Sequence, residues 1–300
     1  MTTHQSLLAE AKPGPRALRR VPDDWVDEPY ARFTVRPLAP TIGAEIIGVD
    51  LAQPIGDALF ADVRRALLEW KVIFFRDQAI EPSDQVRFAQ QWGDLEEHPF
   101  LPAGTSADVV RFEKGKRMKG YENVWHSDVT WRECPALGSI LCAREVPEFG
   151  GDTLFADMAA AYDDLSADER AEIDGLHAVH DFAPTFGALL DANQMAEMRA
   201  RFPEVEHPVV RTHPETWRRA LFGNAAFTTR VVGLDADGSR ALLARLYRQA
   251  AVPEFQCRWK WRAGDLAMWD NRAVQHYACS DYAPARRVME RVAVVGDRPI

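Results

Sequence analysis

The stretch YENVWHSDVTW, residues 121–131, contains two side chains able to hold a metal ion together. In extended backbone, positions i and i+2 project from one face, so the His126 imidazole and the Asp128 carboxylate can reach a single cation. One nitrogen and one carboxylate oxygen are two thirds of the facial set of two histidines and one carboxylate that holds non-heme Fe(II) and leaves coordination positions open. The third ligand must come from a distant segment. Of the eight histidines, His276 in WDNRAVQHYA is the best placed, because it lies in a β-rich C-terminal run; the alternative is a core histidine packed against Trp269 and Tyr277. The same ligand set can hold zinc and activate water for hydrolysis, and a non-catalytic binding protein is a third reading.

Downstream, RRVMERV carries Arg287 and Arg291, which share one face of a strand with Met289. Two guanidinium groups facing inward are costly unless anions meet them, and arginine suits bidentate recognition of a carboxylate or sulfonate. In GGDTLFADM, the two glycines permit a tight turn and Thr153 offers a hydroxyl to an anion. A small anion is therefore the expected ligand, although the chain as a whole is acidic.

That acidity is plain in the counts: 36 Lys+Arg against 45 Asp+Glu over 300 residues, a net charge of -9. With no dense Lys/Arg run, nucleic acid and anionic membrane are poor partners. Hydrophobic residues make up 47%, enough for a sizeable core in one large domain. Neither a signal peptide nor a membrane span is predicted. The four cysteines show no C-x-x-C and no disulfide framework, which predicts reduced thiols and a cytoplasmic location.

The elements that must position these residues follow from periodicity. Residues 1–30 are polar and proline-bearing and read as an arm, with a single domain over 31–300. Apolar spacing predicts a helix over 57–70 followed by a buried strand KVIFF, and Pro82 opens a second helix that Gly93 stops. A helical stretch over 159–176 carries a capping box, Ser166 with Glu169, and 239–250 makes one apolar stripe. CRWKWR, LAMWD, VQHYA and RRVMERVAVVG read as strands, with a turn at Ala263-Gly264-Asp265. Together they predict a mixed α+β fold: an antiparallel jelly roll with surrounding helices.

Taken together, WHSD, GGDTLF, NAAFTTR, PEFQ-x-RW-x-W and WDNRAVQHYA with RRVMERV resemble the taurine dioxygenase branch of the Fe(II)/2-oxoglutarate dioxygenases, over roughly residues 32–300. The resemblance implies a double-stranded β-helix, Fe(II) held by His126, Asp128 and His276, and 2-oxoglutarate and O2 as cosubstrates. It implies that Thr153 and Arg287 hold the distal carboxylate of 2-oxoglutarate, that Arg291 and His98 face the substrate's anion, and that Phe186 and Phe227 wall the pocket. It further implies a homo-oligomer, dimer or tetramer.

The implied activity is hydroxylation of a small anionic substrate, coupled to oxidative decarboxylation of 2-oxoglutarate to succinate. On taurine or another organosulfonate, hydroxylation next to sulfur would release sulfite and an aldehyde; alkyl sulfates or another small carboxylate are the alternatives within the family. Related halogenases lack the carboxylate ligand, so Asp128 implies hydroxylation instead. Two positions depart from the family pattern at the end that receives taurine's amine: Leu101 replaces a tyrosine and Glu122 an asparagine. Glu122 offers a partner to an ammonium group, whereas Leu101 suits an apolar tail.

Overall fold

The computed structural model describes residues 14–16, 18–101, 104, 108–116 and 122–300. Strands β1 (Thr34–Pro37) and β2 (Ala44–Ile47) form a hairpin; helix α1 (Asp57–Trp70), strand β3 (Val72–Phe75) and helix α2 (Pro82–Gln90) follow. Then come β4 (Val110–Lys114), β5 (Ala136–Glu145), β6 (Thr153–Asp157), α3 (Met158–Asp163), α4 (Ala167–Ile173), β7 (His177–His180), α5 (Ala183–Phe186) and α6 (Ala192–Arg201). Strands β8 (Val205–Pro208), β9 (Val210–Thr212), β10 (Arg219–Leu221) and β11 (Thr228–Val231) lead to α7 (Ala236–Tyr247). The chain ends in β12 (Gln256–Trp259), β13 (Leu266–Asp270), β14 (Val274–Ala278) and β15 (Arg287–Val295).

Two sheets make the core. The larger runs β1-β2-β3-β13-β5-β15-β4 and the smaller β12-β6-β14. Every pairing in them is antiparallel except β2 with β3, which is parallel. Alternation along the strands explains how they stack. Val72, Phe74, Leu141, Ala143, Ala267, Trp269 and Met289 of the large sheet meet Phe155, Cys257, Trp259 and Val274 of the small one. Residues of the opposite parity on the large sheet, Ile73, Phe75, Ile140, Cys142, Leu266, Met268 and Val292, pack under α1 and α2. The result is the double-stranded β-helix expected, with helices outside it.

Local chemistry accounts for the element boundaries. The capping box of Ser166 and Glu169 is present, but it starts only α4, because α3 ends at Asp163; one helical stretch over 159–176 is two short helices. The helix expected over 239–250 begins earlier, since Asp235 caps it by accepting from the Gly238 N–H at 2.7 Å, and its end tightens into a 3₁₀ turn over Arg248–Ala251. The described part of the arm is irregular and packs on the body. Arg20 lies over the Trp70 ring at 4.4 Å and its carbonyl accepts from Lys71 Nζ at 2.7 Å. All four cysteines are free thiols. Among the described residues, no helix is long and apolar enough to cross a membrane.

Candidate active site

His126 forms an isolated antiparallel bridge with His276, each donating its N–H to the other's carbonyl, at 3.1 and 2.8 Å. The bridge adds one rung beside β14 and sets the two imidazoles with ring centroids 4.1 Å apart. Asp128 is not on a strand, as the i, i+2 reading required: it opens a turn in which Val129 has φ 48°. The turn is held from outside. Asn271, in the β13–β14 connection, accepts from the Asp128 N–H at 2.7 Å and donates to the Asp128 carbonyl at 3.0 Å. Ser139 of β5 donates to Asp128 Oδ2 at 2.7 Å, which fixes that oxygen and aims Oδ1 at the histidines.

Each histidine Nε2 then lies 3.9 Å from Asp128 Oδ1, and ligand atoms of all three lie within 4.8 Å of one another. Ligands cis on one ion at about 2.0–2.2 Å lie about 3 Å apart, so a cation needs a contraction of about 1–2 Å to take all three. The donor set also fits in chemistry. His126 donates its Nδ1–H to the Val124 carbonyl at 2.8 Å, leaving Nε2 bare, and burial keeps His276 neutral by pushing its pKa well below the usual value. Burial opposes charge on Asp128, but the Arg291 guanidinium chiefly outweighs it, with the Ser139 hydroxyl adding to it, and the carboxyl is held below the ordinary range.

These three residues open onto a cavity of about 120 Å³ between the sheets, and every other residue singled out from sequence lines it: His98, Leu101, Glu122, Thr153, Phe186, Phe227, Arg287 and Arg291. Arg287, Met289 and Arg291 do share one face of β15, both arginines being buried. Arg287 Nε and Nη2 have no hydrogen-bond partner among the described residues. Its stem lies across Gly151, where φ is +70° and a Cβ would come within 3.1 Å of Arg287 Cδ, so only glycine suits the position. Thr153 Oγ1 accepts from the Trp261 indole at 2.9 Å, which turns its own hydroxyl hydrogen away from that ring. Arg291 donates to Asp128 Oδ1 at 2.6 Å and lies over Phe112 at 5.3 Å.

His98 accepts the Phe100 N–H on Nδ1 at 3.2 Å, so Nε2 carries the hydrogen, and burial lowers its pKa to about 3. It is a neutral donor at any working pH. Leu101, Phe100, Phe186 and Phe227 belong to one apolar cluster with Trp131 and Phe182. The Glu122 carboxylate stands 2.9 Å from Lys114 Nζ.

Sequence reasoning missed Lys114, Ser139 and Asn271. Alternation along β4, which puts Val110, Phe112 and Lys114 on one face, could have found Lys114; the other two are brought to Asp128 by tertiary folding alone.

Against known proteins, the model of the family described as taurine catabolism dioxygenase TauD, TfdA family matches residues 34–293. An alpha-ketoglutarate-dependent sulfate ester dioxygenase of Pseudomonas putida is 38% identical over 288 residues, covering 91% of this chain and 93% of that protein. An alkylsulfatase of Acinetobacter baylyi is 34% identical over 281 residues, covering 91% and 88%. The crystal structure of a putative alpha-ketoglutarate-dependent taurine dioxygenase from Burkholderia xenovorans superposes with a TM-score of 0.79 at 38% identity, covering 89% of this chain and 94% of that one. With the jelly-roll core and this span of similarity, the chain belongs to the TauD/TfdA family of alpha-ketoglutarate-dependent dioxygenases.

Proposed function

We propose that the chain hydroxylates the carbon next to the head group of a small sulfate ester or sulfonate, with Fe(II) held by His126, Asp128 and His276. Alkyl sulfates with an apolar body are favoured over taurine. The observation that carries this reading is the lining of the cavity, which sets Arg287, Arg291, Thr153 and the three candidate ligands together with an apolar wall of Leu101, Phe112, Val124, Phe186 and Phe227. Glu122, the one carboxylate suited to an amine, is engaged by Lys114. The names of the Pseudomonas and Acinetobacter relatives support a sulfate ester; taurine and other organosulfonates are the second reading, supported by the Burkholderia neighbour.

When bound, Fe(II) supplies activation of O2 coupled to decarboxylation of 2-oxoglutarate. The residues supply placement. The open face of Arg287 and the Thr153 hydroxyl take the distal carboxylate, a charge-assisted pairing in a dry wall. His98 donates from Nε2 to the substrate's head group, and Arg291 balances its charge. The aromatic wall excludes water and holds the alkyl body, so that one C–H bond is presented to the metal-facing end. One oxygen atom of O2 goes to succinate and the other to the substrate carbon; the hydroxylated sulfate ester then collapses to an aldehyde and sulfate, and a sulfonate to an aldehyde and sulfite. We further propose a homo-oligomer working in the reducing cytoplasm, the latter supported by the four free thiols.

A substrate panel tests this. Succinate formation by the iron-loaded protein should require 2-oxoglutarate and rise with hexyl sulfate well above taurine. Turnover with zinc and without 2-oxoglutarate would overturn the dioxygenase assignment and revive the hydrolase reading; taurine outpacing hexyl sulfate would overturn the substrate preference alone.

A further inference from the structure

Arg287 faces a second buried cation. Across the β4–β15 ladder its Cα partner is Lys114, and both side chains line the cavity with 7% and 6% of their surface exposed. Residues directly opposite in an antiparallel pair have Cβ atoms about 4.5–5.5 Å apart, and like charges there are destabilising. Lys114 has Glu122 as a counterion at 2.9 Å. Arg287 keeps Nε and Nη2 without a hydrogen-bond partner among the described residues, and burial presses its pKa below the usual value. Both cations thus stand in a low-dielectric wall beside the Thr153 hydroxyl, with donors of Arg287 still open. A ligand carboxylate would satisfy those open donors.

We propose that Lys114 is a second cationic partner of the distal carboxylate of 2-oxoglutarate, sharing it with Arg287, and that Glu122 sets how much of the lysine's charge the cosubstrate feels. This rests on the 2-oxoglutarate reading above and adds a residue to it. An ammonium has three donors on a flexible stem, so Nζ can keep one bond to Glu122 and turn another to the incoming carboxylate. Without the lysine, Glu122 would lose the ammonium group that stands 2.9 Å from it as the dianion enters. The two residues therefore act with opposite sign: neutralising Lys114 weakens cosubstrate binding, and neutralising Glu122 strengthens it.

The test is calorimetric binding of 2-oxoglutarate to the iron-loaded full chain under nitrogen, with steady-state turnover alongside. Lys114→Met should raise the dissociation constant about tenfold, Lys114→Arg should stay within about threefold of wild type, and Glu122→Gln should lower it about threefold. With 2-oxobutanoate, which keeps the keto-acid head and lacks the distal carboxylate, Lys114→Met should behave as wild type. Unchanged 2-oxoglutarate affinity in Lys114→Met, or equal weakening of both keto acids, would overturn the proposal, since a lysine that only shapes the wall does not tell them apart. If Lys114→Met does not fold, Glu122→Gln decides: unchanged or weaker binding overturns it. A wild-type chain that takes up no oxygen with 2-oxoglutarate sinks the underlying reading, and the role of Lys114 with it.

Discussion

The two ends of the cavity are built from different material. At the ligand end, Arg287 and Arg291 sit on β15, Thr153 on β6 and His276 on β14, all inside paired strands, while His126 is bridged to β14 and Asp128 stands in a turn tied down by Asn271 and by Ser139 of β5. At the aromatic end, His98 and Leu101 lie outside any strand or helix and Phe227 precedes β11, while Phe186 ends a four-residue helix. A strand ladder fixes side chains to within its own repeat, whereas loops can vary without unpicking the sheets. The chemistry common to a family belongs on the first and substrate choice on the second. Both departures from the family pattern, Leu101 and Glu122, fall off the ladder.

Substitutions can break or sharpen that contrast. The largest effect is expected at the ligand end: His126→Ala should cut 2-oxoglutarate-dependent oxygen uptake by about a thousandfold with the far-UV circular dichroism unchanged. Retained activity would remove His126 from the metal site. Next, Arg287→Ala should raise the KM for 2-oxoglutarate about a hundredfold while the KM for the sulfate ester moves little; equal changes in both would erase the assignment of this arginine to the cosubstrate. At the aromatic end, Phe186→Ala should shift the ratio of kcat/KM between hexyl and ethyl sulfate about tenfold and leave the 2-oxoglutarate constant alone. A loss of 2-oxoglutarate affinity there would mean that the two ends are not separable.

The smallest effect concerns how the aromatic end is pinned. His207 donates from Nε2 to the Arg132 carbonyl at 2.9 Å, one residue after Trp131, and burial lowers its pKa to about 4. Below the ordinary histidine value of about 6.5 the unfolded chain gains a proton that the folded chain refuses until about pH 4. Stability that is full above pH 6.5 is thus lost as the pH falls toward 4. Chemical denaturation between these limits should show His207→Gln losing about 1–2 kcal/mol less than wild type; parallel curves would assign the acid sensitivity elsewhere.

Much of the ligand end was legible in the sequence. H-x-D and the distant His276 pointed to three residues that the fold brings within reach of one ion, and strand alternation put Arg287 and Arg291 on one buried face. The geometry assumed for Asp128 was not: its carboxylate reaches the histidines through a turn clamped by Asn271 and Ser139, and no local pattern reveals contacts 143 and 11 residues apart. Glu122 was offered as a partner for an ammonium group; the Lys114 ammonium that stands 2.9 Å from its carboxylate is a neighbour the pattern of residues did not point to. Helix ends moved for a simpler reason, since a cap such as Asp235 starts a helix before its apolar stripe does.

The His126–His276 bridge has a consequence for how the molecule assembles. Antiparallel partners that exchange both hydrogen bonds hold their Cα atoms about 5.5 Å apart, so the backbone itself gauges the spacing of the two imidazoles. That gauge exists only once segments from the middle and the end of the chain have met, a contact of long sequence separation and therefore slow to form. Metal uptake thus becomes a clock for folding. A cation captured there would report completion of the native topology and, by binding that state alone, hold it shut.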